Sequence, residues 1–459
     1  MSIARAGPDD CSVGVPVYRG RFGTPQAERL LWRAGFGPRE GEAESLAKLG
    51  LDGAVRALVN PGPEKLVGPR PHDDKGRRLA PADAWGHDHC WWLDRMVRTS
   101  RPLVERMTLV WHDWFATSND GVGSQRLMLR QNQLFRSHAL GSFARLLLDV
   151  THDPAMLLWL NGTENDKDAP NENYAREMME LFTLGADRGA YTEHDVREQA
   201  RALTGWRNRW SAGRGDYDFH FDRSRHDPGV KRVFAKSGRF DWRDAGHLCV
   251  QHPLHPSFFV TKLWSYFVPV PPDRTTLRGL EEVYRRGWQV KPVVQAILTH
   301  PAVYDGPRMV KPPIVFTAGL LRRIGAGITT TDWAWIGSLC GQQLFYPPNV
   351  AGWDDSRWLD TATFRGRWIA VERLLQGRQH DPGKPPKDWP TTAGGVFARS
   401  AAFWNAPELS AETKSTLHQV AQLALADARN GEWKQQQYPV LLGNALRQLI
   451  AISPDVQTS

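Results

Sequence analysis

The chain has 459 residues, 41% of them hydrophobic and 24% charged, a balance that supports a sizeable core and excludes a disordered or fibrous polypeptide. Its net charge of +8 arises from 58 basic and 50 acidic side chains that interleave. The densest basic runs, Arg207-Asn208-Arg209 and Arg322-Arg323, are short, which speaks against a nucleic-acid track. No apolar run approaches the roughly 20 residues of a membrane span. The four cysteines (Cys11, Cys90, Cys249, Cys340) lie far apart without a C-x-x-C pair, so no zinc ribbon or disulfide framework is expected. Met1 to Gly23 lacks a leader pattern, and a cytoplasmic location with reduced thiols is the expectation. The 20 tryptophans imply a bulky core whose indole N–H groups need partners.

Helix punctuation recurs along the chain. Thr24-Pro25 predicts a helix start, closing at Gly35. Asp52 caps a short helix, and Pro102 opens one running through His112 that is apolar over most of its surface and therefore central. Ser124, Ser142 and Asp153 are caps for the next three helices, the last ending at Asn161-Gly162. Asn171 caps a helix from Glu172 to Leu184, and Thr192 with Asp195 forms a capping box for a helix ending before Gly205. Asp216 to Asp222 alternates polar and aromatic residues, a strand period, and Val230 to Ala235 is expected to pair back on it as a small β-hairpin. Helices resume at Pro256–Val268, Arg274–Arg286, Val290–Thr299, Pro313–Ile324, Thr331–Leu344 and Thr363–Leu375. The stretch 379–396, rich in Pro, Lys and Gly, is the candidate linker. The expected fold is mainly α: an N-terminal arm (1–23), a large helical body (24–378) with a β-hairpin insert at about 216–235, the linker, and a C-terminal helical extension (397–459).

No mechanistic signature motif is present, so the candidates for chemistry are polar residues set among apolar ones. Glu105 and His112 are two helical turns apart and share a face, with Trp111, Trp114 and Phe115 around the imidazole. Glu177 and Glu180 stand at i and i+3, Glu177 on an apolar side. Such carboxylates persist when bound to a cation, paired with Arg or protonated. The turn at His226-Asp227 lifts an imidazole and a carboxylate onto a tight loop. His112, Glu177 and His226 make a His/Glu/His set suited to Zn²⁺ or non-haem Fe²⁺ if they meet. The competing expectation is an Arg (Arg33, Arg176 or Arg201) filling that place with a carboxylate bond.

Several blocks carry a family resemblance: Leu30 to Gly37, Glu105 to His112, Asp153 to Leu157, Asn171 to Gly185, Tyr191 to Trp206, His226-Asp227 with Lys231, and Pro347-Pro348-Asn349-Val350-Ala351-Gly352-Trp353. With these the chain resembles the bacterial domain of unknown function 1800 family from about Leu30 to its C-terminus. That resemblance implies no agreed activity. Many members resemble secreted proteins and often accompany a sulfatase-like family. Relatives usually carry a second His where this chain has Trp114, and a Glu near Lys311 where it reads Pro313-Ile314-Val315. A metal site that used that His would be altered or lost here.

The residues thus point to an enzyme with a buried polar pocket and an unknown small substrate, of the metal-dependent oxidoreductase or hydrolase type if a divalent metal (Zn or Fe) binds. His112, Glu177 and His226 are the candidate ligands and Glu180 or Glu105 the candidate general base. Asn171, Asn173, Arg176 and Asp227 are the candidate substrate-binding groups. The alternative is a non-catalytic scaffold that binds a partner protein. In either case Pro347-Pro348 and Gly352 are expected to fold Trp353, mostly buried, onto the body.

Overall fold

The computed structural model describes residues 14–428 and 432–459; residues 1–13, with most of the N-terminal arm and Cys11, lie outside the described part. The fold is mainly α, with two small two-stranded antiparallel sheets among the described residues. No described helix is long and apolar enough to cross a membrane. Local chemistry accounts for many helix starts. The side chains of Ser124, Ser142 and Asp153 each accept a backbone N–H of the first turn, and Thr192 and Asp195 close a capping box. Each such cap contributes about 1 kcal/mol. The first helix, Thr24–Arg33, starts one residue earlier than expected: Gly23 is the cap, and its N–H donates to Gln26 Oε1. Asp52 is not a cap but lies inside the helix Gly50–Val59.

The β pairing differs from the expected one. Gly215–Phe221 pairs with the preceding strand Trp206–Ser211, Trp206 opposite Phe221 and Ser211 opposite Gly215. Lys231–Val233 pairs instead with Lys236–Gly238. Gly215, at φ +65°, turns the chain back directly after Ser211. After Phe221, by contrast, Asp222 caps a 3₁₀ turn at Arg223–Arg225 that leads the chain away from the strand it has just left.

Two apolar clusters build the interior. One joins the helix Pro102–Trp114 to Phe143–Thr151, His255–Ser265 and Val290–Thr299. The other joins His87–Arg98, Pro313–Arg323 and Thr361–Leu375 to the C-terminal helices Ala393–Phe403, Ala411–Ala428 and Glu432–Ala451, so these helices share a core with the body. The Pro102–Trp114 helix contributes Trp111 and Trp114 to the first cluster and Leu109 to the second. All of its residues except Val104 and Asp113 are buried, as expected of a central helix. The five most enclosed indoles find acceptors for their N–H: Trp92 on Glu105, Trp111 on Ala139, Trp114 on Phe182, Trp264 on Val270 and Trp404 on Arg447.

The helix begun at Asn173–Glu177 widens into a π-helical turn at Met178–Thr183. The N–H groups of Leu184 and Gly185 both reach back to the Met179 carbonyl, at 2.8 and 3.2 Å. The carbonyls of Leu181, Phe182 and Thr183 are thereby left at an open helix end, where side chains must satisfy them.

Candidate active site

The residues singled out in the sequence fall into three separate places. Glu105, fully buried, accepts Arg136 Nε at 2.5 Å and Nη2 at 3.0 Å, Arg95 Nε at 3.3 Å and Trp92 Nε1 at 3.1 Å. Both oxygens are engaged, so the carboxylate is a structural anchor with no lone pair left for a substrate proton. It pairs with Arg95 and Arg136, not with Arg33 or Arg176. His112 Nε2 accepts the N–H of Phe345 at 3.1 Å, and the ring is walled by Trp92, Phe345 and Trp353. Burial pushes its pKa down to about 3, which keeps it a neutral packed imidazole.

Around the second place, Arg176 gathers the carboxylates. It bonds Glu193 at 2.8 Å and Glu172 at 3.0 Å and reaches Glu180 at 3.5 Å. Glu177 is half-buried, its carboxyl raised by burial and by Glu180. Asn171 accepts the Asn173 N–H in a turn, and Asn173 is exposed and bonded to Asn161. At the third place, His226 Nδ1 lies 3.0 Å from the Thr204 carbonyl, and Asp227 accepts Arg201 Nε at 2.7 Å. Among the described residues no three His, Cys, Asp or Glu side chains come together as a cation site. The expected His112, Glu177 and His226 centre therefore does not form. His112 Nε2 and His226 Nδ1 are turned to backbone groups, and arginines take most of the neighbouring carboxylates.

A different constellation converges on the next face of the Pro102–Trp114 helix. Arg106, Val110 and Asp113, spaced i, i+4 and i+7, line a cavity of about 190 Å³ together with Lys262, Tyr266, Trp353 and Trp358. Tyr266 donates its hydroxyl proton to Asp113 Oδ2 at 2.6 Å, while the Trp353 N–H donates to Oδ1 at 2.9 Å. Burial raises the Asp113 carboxyl against the pull of these two bonds. The Tyr266 phenol is raised well above its ordinary range, by burial first and then by the Asp113 charge. Lys262 Nζ lies 4.6 Å from the centre of the Trp114 ring and donates to the Leu181 carbonyl at 2.9 Å. Burial pushes this amine down to about 8, against the attraction of Asp113.

The π-helical turn supplies the wall behind Lys262. Of its open carbonyls, Leu181 takes Lys262, Phe182 takes Trp114 Nε1 at 3.1 Å, and Thr183 faces His255 Nδ1 at 2.8 Å. Trp114 therefore acts as a packing and hydrogen-bonding post where relatives were expected to carry a His. The Asn171–Gly185 block contributes to this pocket through backbone carbonyls, not through Glu177 or Glu180.

On the opposite wall Gly352 sits at φ +95°, and a Cβ there would lie 2.3 Å from Asp113 Oδ1. Gly352→Ala is expected to break the bond from the Trp353 N–H to Asp113 and to destabilise the fold by about 1–3 kcal/mol, the usual cost of such a strained backbone. Denaturant unfolding of the variant measures this, and an unchanged midpoint would contradict the close approach. Trp353 itself is mostly buried, as expected, and packs against the second apolar cluster. Its ring packs edge-on against His112, and its Nε1 is enclosed without a partner.

Asp113, Arg106, Lys262 and Tyr266 were not among the sequence-named residues. A signal existed: Arg106 and Asp113 have the spacing that drew attention to Glu105 and His112, and Lys262 and Tyr266 stand at i, i+4 among apolar residues. Set beside known proteins, residues 29–458 match a family model described as a protein of unknown function (DUF1800). No curated protein and no solved structure matches the chain.

Proposed function

The chain belongs to the family described as proteins of unknown function, DUF1800, and we propose that it is an enzyme that moves a proton on a small substrate held in the Asp113 pocket. The observation that carries this reading is one cavity holding a lysine pushed down to about 8 beside a hydrogen-bonded Tyr266–Asp113 pair. General acid–base groups work best with a pKa near the operating pH, and Lys262 meets that condition at a site walled by Trp114, Trp353 and Trp358. In its neutral form the amine accepts a proton from a substrate carbon or heteroatom; in its charged form it returns one. Asp113 holds the Tyr266 hydroxyl in a fixed direction, and Arg106 offsets negative charge that develops on the substrate.

The reading is tested first on Lys262. Reductive ¹³C-methylation followed by NMR titration, with the resonance assigned by its loss in Lys262→Met, is expected to give a midpoint near 8. An ordinary lysine midpoint near 10.4 would overturn the acid–base role. Next comes turnover. Small molecules that raise the melting temperature of the protein are incubated with it and followed by mass spectrometry. Conversion is expected for the wild type and loss of conversion for Lys262→Met. Pocket ligands that bind and are never converted would make the chain a binding module, the non-catalytic alternative.

A further inference from the structure

We infer that the ligand of the Asp113 pocket carries a small oxyanion, a carboxylate or a phosphoryl group, seated between Arg106, Lys262 and the indole N–H groups of Trp353 and Trp358. This rests on the same pocket but not on proton transfer within it.

Donors around this pocket lack acceptors. Arg106 is 3% exposed, yet it has a single acceptor, the Tyr266 carbonyl at 3.3 Å from Nη2, and its Nε has none. No ion pair among the described residues involves Arg106 or Lys262. The three most enclosed arginines are treated differently, whereas Arg447, like Arg106, has one carbonyl acceptor and an unbonded Nε. Arg33 reaches the carbonyls of Phe267, Pro307 and Ser459; Arg367 reaches Trp358, Gln457 and Lys311; Arg322 reaches Gly37, Val97 and Glu42. A buried guanidinium with one long bond is costly unless something else takes its donors.

The same cavity collects further donors. The Nε1 atoms of Trp353 and Trp358 are enclosed and without a partner, in contrast to the five core indoles described above. Trp159, Trp206 and Trp242 also leave their N–H unbonded elsewhere, so an orphaned indole alone marks no site. Its distinguishing feature here is convergence: two residues with unbonded indole N–H groups, and a guanidinium and an ammonium without an ion pair, line one small cavity.

The carboxylates of the lining form no hydrogen bond or ion pair with Arg106 or Lys262. Both Asp113 oxygens are occupied by Tyr266 and the Trp353 N–H, and the other carboxylate of the lining, Asp355, belongs to an exposed residue. Arg106 and Lys262 against Asp113 leave one positive charge unbalanced in the enclosed part. An oxyanion supplies both the charge and the missing acceptors, and planar N–H donors suit its oxygens. A neutral amide supplies one acceptor and no charge.

The full chain is titrated with sodium acetate, inorganic phosphate and acetamide, with calorimetry and melting temperature as readouts. Acetate or phosphate is expected to bind and stabilise, and acetamide of similar shape is not. Whichever anion binds more tightly identifies the carboxylate or the phosphoryl class. Arg106→Met is expected to weaken that binding at least roughly tenfold, the worth of a charge-assisted bond. Acetate binding is expected to weaken as pH rises through about 8, because Lys262 loses its proton there while Arg106 stays charged.

Equal binding of acetamide, an Arg106→Met protein that binds like the wild type, or no binding of either anion would each overturn the inference. Anion binding with a Lys262 midpoint near 10.4 would leave the oxyanion site standing and remove the proposed proton transfer. A Lys262 midpoint near 8 without anion binding would do the reverse.

Discussion

Glu105→Ala is expected to destabilise the protein by about 3–5 kcal/mol, the range found when one partner of a buried ion pair is removed. Glu105 is fully buried and serves three donors at once: the guanidinium groups of Arg136 and Arg95, and the indole of Trp92. Arg136 and Arg95 also lie over the same Trp91 ring, at 5.6 and 5.5 Å. Truncation would leave two neighbouring cations facing each other at the edge of the core with no counter-charge between them. Arg95 would keep Glu64, but Arg136 would keep only the neutral side chains of Asn132 and Gln133. Urea unfolding monitored by tryptophan fluorescence measures the loss. Glu105→Gln, which retains an acceptor for the indole and one arginine, is expected to fall between wild type and Glu105→Ala. A loss below about 1 kcal/mol for the Ala variant would contradict the anchoring role.

This expectation also shows where sequence reasoning reached the molecule and where it stopped. Features governed by neighbours in the chain were legible. The capping box of Thr192 and Asp195, the caps at Ser124, Ser142 and Asp153, and the helix opened by Pro102 rest on bonds made within three or four residues. The all-round apolar character of Pro102–Trp114 correctly marked it as central, because only burial on every side makes that pattern stable.

The choice of face was not legible. Glu105 and His112 are the more conspicuous polar pair on that helix, but their face meets Arg136, Trp92 and the Phe345 amide, partners brought from distant elements. One residue along, Arg106 and Asp113 meet the cavity. Periodicity places both pairs equally well on a helix and cannot say which neighbour each will find. The strand pairing failed for a similar reason. The two-residue period marks a strand but carries no information about its partner, and the turn geometry at Gly215 and Asp222 decided it. The π-helical turn is subtler still. Its role depends on which side chains arrive to take the carbonyls of Leu181, Phe182 and Thr183, and these come from three other segments.

Arg106→Met is expected to raise stability, by about 1–4 kcal/mol, while weakening oxyanion binding. The direction follows from solvation. In the folded chain Arg106 gives up water on nearly its whole side chain, and burial alone pushes the guanidinium down to about 10. In return it gains one long bond to the Tyr266 carbonyl and the distant attraction of Asp113. Methionine keeps a similar unbranched volume and packs against Leu109 and Val110 in the same lining without a charge to desolvate. Replacing buried ionic groups by apolar ones of similar size is often neutral or stabilising by this amount. A residue that the fold would be more stable without is the expected mark of a binding site, where stability is exchanged for a prepared cavity. Arg33→Met is the contrasting control: that arginine satisfies three carbonyls, and its loss leaves them bare, so the fold is expected to weaken. Thermal and denaturant unfolding of both variants decides the matter. Arg106→Met falling below the wild type, in step with Arg33→Met, would place Arg106 among the structural arginines and take away the ground for an oxyanion there.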